Sequence, residues 1–262
     1  MTNYLAGKRV LVTRSESQST VFMEKLEELG AIPLVAPLLT FHPKISNEIK
    51  ELFTELHDFT WVFFTSANGV KFFLNQLDYW DIDHSVLKNV KIAVVGKKTN
   101  DMLAHFNFSA DFQPDSFHGR QMVREFLQFH SINQRIMLIC GNRSRDDIST
   151  ELTKNRVFFR KVVIYDTLLN EESKPILLNY IENEIPDIYT FMSPSTIDAF
   201  IEFSKPSTDK VKNIKQSRLC VCIGTTTEKK AIQEGFKNIL VPDVFTIEGM
   251  INELNKFYKR KG

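Results

Sequence analysis

The chain contains an internal repeat, and this repeat constrains the fold more than any other feature of the sequence. The stretch PDSF from Pro114 recurs as PDVF from Pro242, an offset of 128 residues (242 − 114), and Gly96 recurs as Gly224 at the same offset. KRVLVTRSESQS resembles QRIMLICGNRSR, and KIAVVGKKTNDML resembles RLCVCIGTTTEKKA, in the same order along the chain. A period this long is not that of a solenoid, so the sequence predicts a duplicated domain.

Short apolar runs alternate with amphipathic segments in both halves of the chain. STVFMEKLEELG, for example, places Phe22, Leu26 and Leu29 on one helical face, with Gly30 as its stop. This alternation is typical of α/β layering with largely parallel sheets, and a chain of 262 residues has room for two lobes of about 130 residues each. The predicted strands are Arg9–Val12, Trp61–Phe64, Lys91–Val95, Arg135–Ile139, Ile188–Met192 and Arg218–Ile223.

Polar turns follow the predicted strands. Any one of them is explained by helix N-capping alone. Six turns at the carboxyl ends of strands, however, lie where open α/β sheets bind ligands, and helix N-termini there offer N–H groups to anions. The sequence therefore predicts a ligand that carries several carboxylates or phosphates. The turns are Thr13-Arg14-Ser15, Thr65-Ser66-Ala67-Asn68, Gly96-Lys97-Lys98-Thr99, Gly141-Asn142-Arg143, Ser193-Pro194-Ser195 and Gly224-Thr225-Thr226-Thr227.

Several function classes are excluded by what the sequence lacks. A net charge of +1 argues against a nucleic-acid partner, and neither G-x-G-x-x-G nor G-x-S-x-G occurs. GKKT at 96–99 lacks the first glycine of a phosphate loop and has one residue too many. The six histidines, at 42, 57, 84, 105, 118 and 130, lack metal-ligand spacing on a helix. We expect no metal, nicotinamide or acyl-enzyme chemistry.

The three cysteines indicate a reducing compartment. Cys140, Cys220 and Cys222 lie at the ends of strand-like runs, which is a poor framework for disulfides. Strand alternation is expected to place the thiols of Cys220 and Cys222 on opposite faces, which argues against chelation by the pair. Because MTNYLAGKRVLV lacks a signal-peptide pattern and no apolar run approaches 18 residues, we expect a soluble cytoplasmic protein with no membrane contact.

Five segments together carry a family resemblance. TWVFFTSANGVKFF, KIAVVGKKT, VVIYDT, FMSPSTIDAF and CIGTTTEKKA resemble the uroporphyrinogen-III synthase family in order and spacing, over nearly the whole chain. The resemblance implies two similar, flavodoxin-like α/β lobes with mainly parallel sheets, joined by a two-stranded antiparallel ladder. One lobe combines 1–34 with 170–262, an inserted lobe spans 41–160, and the ladder is formed by 35–40 and 161–169.

The resemblance also implies a reaction. Members of this family cyclise hydroxymethylbilane to uroporphyrinogen III in haem biosynthesis, with loss of water and inversion of ring D through a spiro intermediate. No cofactor takes part, and a monomer is implied; transient contact with the preceding pathway enzyme stays open. A non-catalytic two-lobed module that binds a polyanionic small molecule is the alternative, since a fold alone does not assign a function.

Site residues follow from the resemblance and from the turns. Tyr165 matches the family's tyrosine beside the cleft and is the predicted proton donor; without the resemblance, it is most simply an aromatic residue of a strand. Two departures from the family are Ser15, where a proline is usual, and Cys140, where an arginine is common. One cationic contact to a carboxylate is therefore either missing or supplied by Arg143 or Arg145. The predicted substrate-binding residues are Thr13, Arg14, Ser66, Ala67, Asn68, Lys97, Gly141, Asn142, Ser193, Pro194, Ser195, Thr226 and Thr227.

Overall fold

The computed structural model of the protein describes residues 4–14, 16–115 and 119–260. These residues form two compact units, and the chain passes from the first to the second and back again. The first unit comprises residues 1–40 and 168–262, and the second comprises residues 41–167. The second unit is therefore an insertion in the sequence of the first.

Strands and helices alternate over most of the described chain. The strands are β1 (Arg9–Val12), β2 (Ile32–Val35), β3 (Leu39–Pro43), β4 (Trp61–Phe64), β5 (Lys91–Val94), β6 (Arg135–Gly141), β7 (Phe158–Leu169), β8 (Ile188–Phe191), β9 (Leu219–Cys222) and β10 (Asn238–Leu240). The helices are α1 (Glu16–Glu28), α2 (Asn47–Thr54), α3 (Ala67–Tyr79), α4 (Lys97–His105), α5 (Gly119–Phe129), α6 (Asp147–Lys154), α7 (Ser173–Asn179), α8 (Pro194–Phe203), α9 (Thr208–Ser217), α10 (Thr225–Gln233) and α11 (Ile247–Lys259). The six predicted strands are confirmed, with ends that differ by at most two residues.

The first unit is built on a parallel sheet with strand order β10-β9-β8-β1-β2. Its side chains alternate between two buried clusters, because successive residues of a strand point to opposite faces. In β1, Val10 and Val12 pack with α1 and α11, whereas Leu11 packs on the other face with α8 and α9. Both faces are covered, as expected for strands with continuous apolar sequences.

The cysteines of β9 correct one expectation. Cys220 and Cys222 lie on the same face of the sheet, with their sulfur atoms 3.7 Å apart. The expectation of opposite faces was wrong because side-chain direction in a strand repeats every two residues. The hydrogen bond with Cys222 and burial raise the pKa of Cys220 well above its usual range. Within the described ranges, no group of three or more metal-ligating side chains is found.

The second unit has the sheet order β3-β7-β6-β4-β5. Its central strands are parallel, and both faces of β4 are buried. Val62 and Phe64 pack against α3 and α2, and Trp61 and Phe63 pack against α5 and α6 on the other face. The two units thus repeat the same layering, in agreement with the α/β fold class that the alternating sequence pattern predicts.

The remaining pair of this sheet, β3 with β7, is antiparallel. Its direction is visible at its two ends, where Asn170 N–H donates to the Leu38 carbonyl at 3.0 Å and Lys44 N–H donates to the Ile164 carbonyl at 2.8 Å. The chain changes units within these two strands, after Thr40 in β3 and after Thr167 in β7. No helix of the described chain is long and apolar enough to cross a membrane.

Replacing Gly249 by alanine is expected to lower the free energy of unfolding by about 1–3 kcal/mol. A Cβ atom at this position in α11 would collide with the Val244 carbonyl oxygen and lie 3.3 Å from Pro242 Cβ. The greater helix propensity of alanine opposes this loss by only about 1 kcal/mol. Urea unfolding measures the difference, with Asn252→Ala at an exposed position of the same helix as the control. Equal stability of Gly249→Ala and the wild type would mean that the segment at Val244 moves at no cost.

Candidate functional site

The carboxyl edge of the second unit's sheet brings together the predicted site residues of that unit. Phe64, the last residue of β4, is in register with Val94 of β5 and with Ile139 of β6, and Gly141 is in register with Tyr165. Ser66, Ala67 and Asn68 therefore follow β4, and Lys97 follows β5. Gly141 ends β6, Asn142 follows it, and Tyr165 lies beside them on β7. Parallel pairing is what gathers these residues at one edge.

Tyr165 and Ser66 are in direct contact. The phenol oxygen of Tyr165 lies 3.1 Å from Ser66 Oγ, and either oxygen can donate the hydrogen bond. Ser66 is also the N-cap of α3, where its Oγ accepts from the Gly69 N–H at 3.0 Å. One serine thus fixes the start of a helix and the hydroxyl of the candidate proton donor.

The ring of Tyr165 is enclosed by aromatic and backbone contacts. Phe72 of α3 stacks on it, with ring centres 5.0 Å apart and planes at 17°, and Phe41 lies at 6.2 Å. On another side, the ring occupies the space that a side chain at position 141 would need. A Cβ built on Gly141 would lie 2.5 Å from Tyr165 Cε2 and 2.7 Å from its oxygen. Only glycine permits this approach, and Tyr165 is 6% exposed as a result.

Burial raises the pKa of Tyr165 above the usual tyrosine value of 10.0, although the hydrogen bond with Ser66 lowers it in part. The Cys140 thiol nearby also has a raised pKa, chiefly through burial, and it contacts the Val162 carbonyl at 3.6 Å. Both groups are therefore neutral at pH 7. The site presents a phenol that keeps its proton and has it available for donation.

Asn142 holds β7 in place. Its N–H donates to the Tyr165 carbonyl at 3.1 Å, and its side-chain oxygen accepts from the Thr167 N–H at 2.8 Å. The register of β6 against β7 shifts between Cys140 and Gly141, immediately before the two hydrogen bonds of Asn142. The side chain that was predicted to contact substrate thus also supports the strand that carries Tyr165.

The first turns of α3 and α4 supply groups for an anion. Ala67 and Asn68 are half-buried at the start of α3, and Lys97 is exposed as the first residue of α4. N–H groups in the first turn of a helix have no partner within the helix. Arg143 and Arg145, the predicted substitutes for a cation at Cys140, are both exposed, and Arg145 pairs with Asp147 at 3.6 Å. Arg143 is therefore the better of these two candidates.

The first unit has its own set of predicted residues at the carboxyl edge of its sheet. Ser193 caps α8 and forms a capping box with Thr196, while Pro194 and Ser195 are half-buried in the first turn. Thr226 is exposed in the first turn of α10, whereas Thr227 is 3% exposed.

At the end of β1, Thr13 and Arg14 differ in their surroundings. Thr13 is 2% exposed, and its hydroxyl donates to the Thr190 carbonyl at 2.8 Å, which ties β1 to β8. Arg14 is half-buried, and burial lowers its pKa from the usual 12.5 while leaving it a cation at pH 7. Ser15, the predicted departure at the start of the first helix, lies outside the described residues.

Two residues of α3 that support the site were missed from the sequence. Phe72 stacks on Tyr165, and Gln76 donates to the Ile164 carbonyl at 2.8 Å. A signal for Gln76 exists, because it takes an apolar position in the spacing of Val70, Phe73 and Leu77. Phe72 adjoins Phe73 on that helix, and nothing in the pattern separates the ring that packs in the core from the ring that supports Tyr165.

Solved structures resemble this chain in fold. A mutant uroporphyrinogen III synthase from Thermus thermophilus aligns with a TM-score of 0.70 at 14% identity, over 98% of this chain and 100% of that one. Uroporphyrinogen-III synthetase from Helicobacter pylori aligns with a TM-score of 0.64 at 15% identity, over 96% and 99%. At these identities the likeness establishes the two-lobed α/β fold.

Sequence relatives and a family model extend the likeness. The porphyrin biosynthesis protein HemD of Ruminiclostridium josui is 31% identical over 95% of this chain. The matched region covers only 48% of the length of that protein, so this chain spans about half of it. A putative uroporphyrinogen-III synthase of Methanocaldococcus jannaschii is 27% identical over 96% of this chain and 100% of that protein. The model of the family described as uroporphyrinogen-III synthase HemD matches residues 20–252. The chain belongs to the uroporphyrinogen-III synthase family.

Proposed function

We propose that this protein is a uroporphyrinogen-III synthase, a cyclising hydro-lyase that converts hydroxymethylbilane into uroporphyrinogen III and water. Family membership supports a role in porphyrin biosynthesis. The observation that carries the catalytic proposal is the 3.1 Å contact between Tyr165 and Ser66, at the N-terminus of α3. This contact supports the proposal because a neutral phenol lies beside backbone N–H groups that attract carboxylates, and a substrate with eight carboxylates and a leaving hydroxyl needs both.

Tyr165 acts as the general acid in the proposed reaction. Its O–H donates to the terminal hydroxyl of the bilane, the C–O bond breaks with help from the pyrrole nitrogen, and water leaves. The substituted carbon of ring D attacks the resulting azafulvene and forms the spiro intermediate, which fragments and recloses with ring D inverted. Ring closure releases a proton, and this proton restores the phenol. No net proton is consumed, and no cofactor is required.

The carboxylates of the substrate are bound by helix N-termini and by cations. In the second unit, the N–H groups of Ala67 and Asn68 and the ammonium group of Lys97 serve this role. In the first unit, Arg14, Ser195 and Thr226 provide the same chemistry at the edge of their own sheet. Holding the bilane in one folded geometry is most of the work, since the substrate supplies both leaving group and nucleophile. A 1000:1 preference for the type III isomer needs only about 4 kcal/mol of differential transition-state stabilisation.

The deciding experiment is incubation of the protein with freshly prepared hydroxymethylbilane, followed by oxidation and separation of the porphyrin isomers. We expect type III to dominate without added metal, nucleotide or reductant. If the bilane binds but only the type I isomer of spontaneous closure forms, the protein is a polyanion-binding module and not a synthase.

Tyr165→Phe is expected to lower kcat by about ten- to a thousandfold, because it removes the proton donor and leaves the binding groups in place. Residual product should still be type III. Tyr79→Phe is the matched control in the same unit, since Tyr79 is 68% exposed at the end of α3. Full activity of Tyr165→Phe in a steady-state assay would exclude Tyr165 as the acid.

Ser66→Ala is expected to raise the pKa of Tyr165 further, because the hydrogen bond with Ser66 lowers that pKa in the wild type. Fluorine NMR of protein labelled with 3-fluorotyrosine follows the titration, and Tyr165→Phe identifies the resonance. Ser193→Ala is the matched control: it also removes an N-cap, worth about 1 kcal/mol of stability, but from α8 in the other unit. An equal Tyr165 pKa in both variants would show that Ser66 acts only as a helix cap.

A further inference from the structure

Helix α3 reaches the Tyr165 segment at three places. Its N-cap Ser66 contacts the phenol oxygen, Phe72 stacks on the ring, and Gln76 bonds to the main chain of β7. Phe72 and Gln76 are four residues apart, so they share one face of the helix. A single rigid element thus holds the hydroxyl, the ring and the backbone of the candidate acid.

The contact made by Gln76 is at the backbone of Tyr165 itself. Its side-chain N–H donates to the Ile164 carbonyl at 2.8 Å, and the same carbonyl accepts from the Lys44 N–H at 2.8 Å. That carbonyl belongs to the peptide unit whose nitrogen is the Tyr165 nitrogen, and peptide units are planar. A bond to the carbonyl therefore fixes the backbone orientation from which the Tyr165 side chain projects.

The peptide unit on the other side of Tyr165 is fixed as well. Its carbonyl accepts the N–H of Asn142 at 3.1 Å. The Asn142 and Lys44 bonds come from the main chain and survive side-chain substitution, whereas the Gln76 bond comes from a side chain. Gln76 is therefore the part of this arrangement that a point mutation can remove by itself.

Stability alone does not explain a glutamine at this position. Gln76 is 1% exposed within an apolar region of α3, and its side-chain oxygen has no hydrogen-bond partner among the described residues. A buried acceptor without a partner is unfavourable, and an apolar side chain of similar volume avoids that cost. The bond to Ile164 is what the glutamine provides and an apolar residue does not.

We propose that Gln76 is a positioning residue. It keeps the Tyr165 hydroxyl beside Ser66, in the position from which the phenol donates its proton to the leaving hydroxyl of the substrate. The proposal rests on the function proposed above for Tyr165. Gln76 acts only through the main chain of β7, by its bond to the Ile164 carbonyl, and not by contact with the phenol or the substrate.

The test compares Gln76→Met, which keeps the side-chain volume and removes the donor, with the wild type. Both proteins are labelled with 3-fluorotyrosine, and Tyr165→Phe identifies the Tyr165 signal among those of the six tyrosines. We expect the Tyr165 resonance to shift or broaden, and kcat for uroporphyrinogen III formation to fall about tenfold with KM within twofold, since small misplacements of a catalytic group are costly. Gln76→Leu, a second variant without a donor, should give the same result.

The control is Leu87→Ala, which truncates a side chain in the buried cluster that also contains Tyr165. Leu87 precedes β5, which is separated from β7 by β4 and β6, so its loss should lower stability without moving the Tyr165 resonance. An unchanged Tyr165 resonance and kcat in Gln76→Met and Gln76→Leu would overturn the proposal. So would an equal change in Leu87→Ala, because the effect would then be general destabilisation. If wild-type protein forms no type III isomer, the proposed function fails, yet the resonance still reports on the positioning.

Discussion

Parallel pairing of fully buried strands is the constraint on which this structure depends. Two neighbouring parallel strands cannot be joined by a tight turn, so a helix must return the chain across a face of the sheet. Neighbouring parallel strands therefore end at the same edge, and β4 and β5, for example, each lead into a helix N-terminus there. Ser66, Lys97 and Asn142 are far apart in sequence and meet at one edge for this reason. The polar turns lie at that edge because each of them directly follows the carboxyl end of a strand.

Under the proposed function, Tyr165 adds little chemistry of its own. A phenol with a raised pKa cannot act as a base near neutral pH; in the proposed reaction it protonates the leaving hydroxyl and is restored by the proton that ring closure releases. In that proposal the protein's main contribution is orientation, and the contacts of Tyr165 agree with it: Phe72 stacks on the ring, Gly141 leaves room for it, and Ser66 bonds to its hydroxyl. The absence of a catalytic cluster in the sequence is consistent with such a site, since nearly all of these contacts are packing contacts.

The layering was predictable from the sequence, and the supporting contacts were not. Apolar runs such as WVFF and LCVC mark buried strands directly, and Gly30 was correctly expected just beyond the first helix, where its φ is 78°. The stacking of Phe72 on Tyr165 depends on how α3 lies over β7, a long-range relation that no local pattern encodes. The Cys220–Cys222 contact was a different failure, since the two-residue period of a strand was sufficient to predict it.

The insertion of one unit into the other has a consequence for synthesis. β1 and β2 leave the ribosome before the second unit, but their sheet lacks β8 until residues 188–191 have been made, after the whole second unit. The second unit is continuous in sequence, so its five strands are all available by residue 169. Since domains generally fold as units during translation, the inserted unit can be complete before residues 168–262, with which residues 1–40 form the first unit, have been made. The inserted unit begins second in the sequence and is therefore expected to fold first.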